Sequence, residues 1–119
     1  MFNLENKKVI ITGATGGIGE AITKSFVDNK AKVLATGTNE DKLNKLSNTY
    51  KNILTLRFDI SKHEEIEKFL DDASNILDGN PDILVNNAGI IYARPFEEAT
   101  ESEFDETLNV HLKSTFFLT

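Results

Sequence analysis

The stretch ITGATGGIGEAI, residues 11–22, sets four glycines and two threonines between a run of β-branched residues and a helical pattern. A loop that cradles a phosphate has three needs. One glycine turns the chain sharply off a strand, a second lets backbone approach a pyrophosphate, and a third lets the next helix pack close to the sheet. The helix N-terminus then offers unpaired N–H groups and a partial positive charge. Glycines alone also make an ordinary turn before a helix, so position in the chain decides. Here the loop follows the first apolar run, KKVIIT (7–12), and opens a stripe at Ile18, Ala21, Ile22 and Phe26, spaced three and four apart.

The alternation continues downstream. AKVLAT (31–36) reads as a second strand, and Asn39 as the N-cap of a short helix carrying Leu43 and Leu46. ILTLRF (53–58) is a third strand. Ser61-Lys-His-Glu64 has the form of a capping box, opening a helix with Ile66, Phe69, Leu70, Ala73, Ile76 and Leu77 inward. DGNP (78–81) signals a turn and DILV (82–85) a fourth strand. Thr100-Glu-Ser-Glu103 is a second capping box, before a helix with Phe104, Leu108, Leu112 and Phe116 on one stripe. Strands separated by helices of about 10–15 residues imply βαβ crossovers and an α/β fold. Right-handed crossovers and a nucleotide loop after the first strand imply a doubly wound parallel sheet, its first four strands in the order 3-2-1-4 with flanking helices. No repeat, linker or low-complexity tract interrupts the pattern.

The 119 residues suit one domain spanning 1–119. Nineteen acidic against thirteen basic residues give a net charge of −6, which argues against a nucleic-acid partner or an anionic membrane surface. With no cysteine there are no disulfides and no thiolate metal sites, and no metal ligand set is expected. The opening MFNLENKK lacks a signal-peptide core, and no apolar run reaches membrane-spanning length, so a cytoplasmic location is expected.

Thr12-Gly13-x-x-x-Gly17-x-Gly19 resembles the TGxxxGxG fingerprint of the short-chain dehydrogenases/reductases. Because Gly16 and Gly17 are adjacent, the loop also fits TGxxGxxG, the fingerprint of the longer epimerase and dehydratase branch, and by itself does not choose. Asn86-Asn87-Ala88-Gly89, directly after the fourth strand, resembles the NNAG motif of the shorter, reductase branch. The resemblance runs the length of the chain and implies a Rossmann-like domain. It implies cofactor contacts from Thr12, Gly13, Thr15, Gly16, Gly17, Ile18 and Gly19, and from Thr38. Further contacts are implied from Asp59 and Ile60 beside the adenine, and from Asn86, Ala88 and Gly89. Asp59 also reads as a helix-entry residue before Ser61.

An acidic residue ending the second strand would bond the ribose 2′-hydroxyl and select NAD. Gly37 stands where NAD-dependent relatives usually carry aspartate, while Thr38 and Asn39 offer hydrogen bonds and Lys42 a charge. NADP(H) is therefore favoured. NAD(H) stays open, because no arginine stands at Thr38 and Gly16 occupies a position that is often basic in NADP-dependent relatives.

Hydride transfer in the family needs a tyrosine acid/base, a lysine four residues later that lowers its pKa, and a serine. Tyr50 is followed at that spacing by Leu54 and Tyr92 by Phe96, so these 119 residues hold no YxxxK. The expectation is a cofactor-binding half, cut before the catalytic half. Its complete form would be an oxidoreductase reducing a small-molecule ketone such as a 3-oxoacyl thioester, since VLATGTNEDKL is similar to 3-oxoacyl-(acyl-carrier-protein) reductases. The alternative is a dinucleotide-binding fragment or truncated gene product without catalysis. NVHLKSTFFLT (109–119) resembles the segment bearing the family's catalytic asparagine, with His111 in its place. An imidazole both donates and accepts, so it can stand in; equally, His111 reads as a helix-face residue three after Leu108. His63, Asp71-Asp72 and Glu97-Glu98 read as solvated. Ile90–Phe96 either lines a substrate mouth or is buried connection. The fourth strand's free edge and Phe116 and Phe117 invite association, so a homo-oligomer is a further expectation.

Overall fold

A computed structural model of the chain describes residues 3–90, 93 and 95–119. Of the Ile90–Phe96 stretch, Ile91, Tyr92 and Arg94 lie outside the described residues. Four short strands, β1 (Lys8–Ile11), β2 (Lys32–Gly37), β3 (Ile53–Arg57) and β4 (Ile83–Val85), form one parallel sheet in the order β3-β2-β1-β4. The helices α1 (Gly17–Asp28), α2 (Glu40–Thr49) and α3 (Ile66–Leu77) are the crossovers. α4 (Glu101–Leu108) and α5 (Ser114–Leu118) follow β4.

Side chains alternate across a strand, and the central strands are apolar on both faces, as a sheet covered by helices on both sides requires. Val9, Ile11, Val33 and Ala35 pack with Leu43 and Leu46 of α2 and with Ile22 and Phe26 of α1. Ile10 and Leu34 pack on the opposite face with Phe69, Ala73 and Leu77 of α3. Phe58 stacks on Phe69 there, with ring centroids 4.2 Å apart. Asn39 caps α2, its side chain accepting from Lys42 N at 3.1 Å. The DGNP turn ends α3 with Asp78 left-handed at φ 58° and Gly79 at φ 144°. Among the described residues no helix is long and apolar enough to cross a membrane.

Four local expectations are corrected. On α1, Ile18 and Ala21 are exposed, and the inward face is Gly19 and Thr23, with Ile22 and Phe26 half-buried. Small residues face the sheet there, which brings the helix in close. Ser61 caps no helix: its N–H and hydroxyl both donate to Asp59 Oδ1, at 2.9 and 2.7 Å, and a 3-10 turn (His63–Glu65) leads into α3. His63 is half-buried rather than solvated, with Nε2 3.1 Å from both Asn109 O and Ser114 Oγ.

The C-terminal helix also departs from the expected single stripe. Thr100 does cap α4, accepting from Glu103 N at 3.2 Å. A π-helical turn (Asn109–Lys113) then separates α4 from α5. Ser114 Oγ lies 2.5 Å from both Asn109 O, five residues back, and Ile60 O. Its single proton serves one acceptor at a time, and His63 approaches both this hydroxyl and Asn109 O. The inward residues are Val110, Ser114 and Leu118, whereas Phe104, Leu108, Leu112 and Phe116 face outward. A search for apolar spacing follows the longer Phe/Leu stripe and passes over one that contains a serine.

Leu77→Ala is expected to lower stability by about 2–5 kcal/mol through lost burial and a cavity. Leu112→Ala, at a position 66% exposed, is expected to change it by less than about 0.5 kcal/mol. Urea unfolding of the two variants checks the pair; equal losses would contradict the placement of the C-terminal helix.

Candidate functional site

At the carboxyl end of β1 the chain turns at Gly13, whose φ of +63° L side chains rarely adopt. A Cβ there would also lie 2.7 Å from Ala88 Cα. At Gly19 a Cβ would collide with Gly13 O and stand 2.9 Å from Ala14 Cα, so only glycine lets α1 start this close to the loop. Gly17 differs: a Cβ there would meet nothing within 4 Å. Gly13 thus turns the chain off the strand, Gly19 lets α1 pack close, and Gly17 leaves the loop open on one side. Gly16 contributes no side-chain cap to α1, and the first helical bond from that turn is Glu20 N to Gly16 O at 2.8 Å. The N–H groups of Gly17, Ile18 and Gly19 come before it and have no i−4 acceptor inside the helix.

The loop after β4 is fastened to this one. Thr12 Oγ1 donates to Val85 O at 3.3 Å and accepts from Asn87 N and Ala88 N at 3.0 Å each. That uses its one proton and both lone pairs, so Thr12 acts as a positioning residue. Asn87 Nδ2 donates to Gly13 O at 3.0 Å. Between the two loops and the ends of β2 and β3 lies a cleft of about 710 Å³, in the range of ligand sites.

Most residues singled out from the sequence meet in this cleft. Thr12, Gly13, Thr15, Gly16, Gly17, Ile18 and Gly19 line one side, Thr38, Asp59 and Ile60 another, and Ala88 and Gly89 the third. Asn86 does not join them; its amide donates to Thr119 Oγ1 at 3.3 Å. Asn87 lines the cleft instead. Both asparagines lie past the end of β4, and the motif alone does not say which side chain turns to the glycine loop. Thr36, Phe58, Ser61, Glu106 and Val110 also line the cleft and were missed. Phe58 sits one residue before Asp59 and Thr36 two before Thr38; Glu106 on α4 and Val110 on the π turn arrive only through the packing of the C-terminal segment. Thr36 Oγ1 is buried and has no hydrogen-bond partner among the described residues.

His111 stands outside the cleft lining, on the π turn. Its Nε2 is 2.7 Å from Ile90 O and 3.1 Å from Ile90 N. One ring nitrogen cannot donate and accept at once, and the shorter contact assigns the proton to Nε2, donating to Ile90 O. A Cβ at Gly89 would fall 2.6 Å from His111 Cε1, so the ring packs directly against the backbone that leaves the NNAG motif. His111 thus positions that loop, more than a bare helix-face residue would.

Burial pushes the Asp59 carboxyl up, and two hydrogen bonds from Ser61 act against it. With the charges of Lys62 and Arg57 they hold it below its ordinary value. Among the described residues no group of three or more His, Asp or Glu side chains could hold a metal ion.

The family model for short chain dehydrogenase matches residues 7–119, so the chain belongs to that family of oxidoreductases, which use nicotinamide dinucleotides. It is 34% identical to dehydrogenase/reductase SDR family member 6 of Xenopus laevis, over 99% of this chain and 46% of that protein. It is 35% identical to a 3-oxoacyl-(acyl-carrier-protein) reductase of Rickettsia typhi, over 99% of this chain and 47% of the other. A solved short-chain dehydrogenase/reductase of Brucella melitensis, titled glucose/ribitol dehydrogenase, superposes with a TM-score of 0.90 at 32% identity. That match covers 98% of this chain and 51% of the other. The chain spans about half the length of the relatives it matches.

A carboxyl with a depressed folded value stabilises the fold above its unfolded titration range and loses that contribution as the pH falls through the folded value. Stability followed from about pH 6 to about pH 2 should therefore drop less steeply below 3.8 in Asp59→Asn than in the parent chain. Parallel acid limbs would show that Asp59 is not held as described.

Proposed function

We propose that these 119 residues are the dinucleotide-binding part of a short-chain reductase that takes NADP(H) in preference to NAD(H). The supporting observation is the open side of Gly17 at the N-terminus of α1, facing a cleft that the NNAG loop closes from the other side. A diphosphate fits that place: backbone N–H groups and the positive end of a helix meet it, and no side chain fills it. The unpartnered Thr36 hydroxyl and the Asp59 carboxylate, on the sides formed by β2 and β3, suit the polar edge of an adenosine. Ala88 and Gly89 offer backbone to the other half of the dinucleotide. The nicotinamide, when bound, supplies a hydride.

The preference for a 2′-phosphate is supported by Gly37. It carries no carboxylate, and the space in front of it is ordinary, with Thr15 Oγ1 3.6 Å from the point a Cβ would occupy. The substrate of the complete enzyme is proposed to be a ketone of the 3-oxoacyl thioester class, on the likeness to the Rickettsia typhi reductase. The chain by itself is proposed to bind cofactor without turnover, because neither tyrosine has a lysine four residues on. Thr12, Asn87 and His111 hold the two loops in register; they move no proton.

Titration of the chain with NADPH, followed by nucleotide fluorescence, should saturate. Gly17→Val should fold, since its side chain enters open space, yet weaken binding at least about tenfold by occupying the diphosphate's place. Unchanged binding by a folded Gly17→Val protein would remove the basis of this reading. Mixing the chain with NADPH and an acetoacetyl thioester should give no thioester-dependent loss of absorbance at the reduced nicotinamide band. Steady oxidation would overturn the non-catalytic assignment.

A further inference from the structure

We propose that Arg57 is the residue that recognises the 2′-phosphate, supplying from β3 the cation that the loop between β2 and α2 lacks. The inference rests on the cleft being a dinucleotide site. β2 and β3 run in register to a last pair, Gly37 with Arg57; Gly37 lines the cleft, and Arg57 stands outside the lining, one residue before Phe58, which does line it. Paired residues of neighbouring strands project to the same face of the sheet, so the place a side chain at 37 would take lies beside Arg57. Where an aspartate would meet and neutralise the arginine, this chain has a glycine.

Arg57 Nε donates to Thr38 O at 2.9 Å, which folds the guanidinium back over the turn that lines the cleft. That bond uses one of five N–H groups. Arg57 makes no other hydrogen bond and no ion pair among the described residues, where the salt bridges are Lys24–Asp28 and Lys68–Asp72. The terminal nitrogens therefore remain available in a fork suited to two phosphate oxygens. The charge already acts at the rim, where it helps hold the Asp59 carboxyl ionised.

The surroundings make the cation necessary. Glu40 and Asp41 occupy the first turn of α2, and Asp59 lines the cleft. A phosphate dianion brought to Thr38 would share the cleft with the Asp59 carboxylate and lie near a helix turn that carries two more acidic residues. Asn39 cannot offset them, since it is neutral and its oxygen is taken by Lys42 N. Lys42 on α2 and Lys62 beside Asp59 also bring positive charge, but among the described residues neither ammonium is bonded to this turn, whereas Arg57 is tied to Thr38 itself.

Calorimetric titration of the full chain with adenosine 2′,5′-bisphosphate and with 5′-AMP, alongside NADPH and NADH, tests the assignment without any turnover. The parent chain should bind the 2′-phosphorylated member of each pair more tightly. Arg57→Gln should weaken those ligands about 10- to 100-fold and leave 5′-AMP and NADH within about twofold. Arg57→Lys should recover part of the loss. If Arg57→Gln weakens both members of each pair equally, the arginine serves the fold and the assignment is wrong. If the 2′-phosphorylated ligands are untouched, or the parent prefers the plain ones, it is also wrong while the cleft remains a dinucleotide site. If the parent binds none of the four, the dinucleotide reading falls and takes this inference with it.

Discussion

The hydroxyl of Thr12 holds the site together. It sits at the end of the central strand, 1% exposed, and spends its whole hydrogen-bonding capacity on the loop leaving β4. β1 and β4 are neighbours because the sheet is doubly wound, and their carboxyl ends are where the winding reverses. Two loops that meet at such a point need a link that water does not compete for. A buried side chain bonded to three backbone groups provides it, and the Asn87 amide adds a second link to Gly13 O.

The glycines follow from that closeness. With the β4 loop drawn onto β1, Gly13 has Ala88 backbone where a side chain would be, and Gly19 has Gly13 O there. Gly17 is free of any such crowding, so its lack of a side chain is not explained by the packing of the protein against itself. The contrast within one loop separates Gly13 and Gly19, which build the cleft, from Gly16 and Gly17, which leave room in it. Thr23, donating to Gly19 O at 2.8 Å, keeps the first turn of α1 in the same register.

A second layer of constraint comes from the far end of the chain. Ser114, fully buried, draws in Ile60 O and Asn109 O, and His63 reaches the same group from the turn before α3. The five-residue spacing from Asn109 to Ser114 coincides with the π turn. That turn carries Val110 into the cleft lining and His111 onto the Gly89–Ile90 backbone. Side chains that look like unrelated surface polar groups are thus one network linking β3, α3 and the C-terminal helix.

The sequence by itself determined the sheet order, the helix succession and the glycine loop, because apolar period, capping residues and glycine spacing are local and repeat every few residues. It also placed Asn39 and Thr100 as caps, each bonded to the N–H three residues on. Only the tertiary structure decided which side chains share the cleft. It set Asn87 rather than Asn86 against the glycine loop, gave Ser61 to Asp59 instead of to a helix end, and turned the Phe/Leu stripe of α4 outward. It also brought Arg57 to Thr38, across nineteen residues of chain. The physical reason is that these are pairings between elements distant in sequence. Period and spacing record how a segment folds on itself, and carry nothing about which of its polar groups a neighbour will reach.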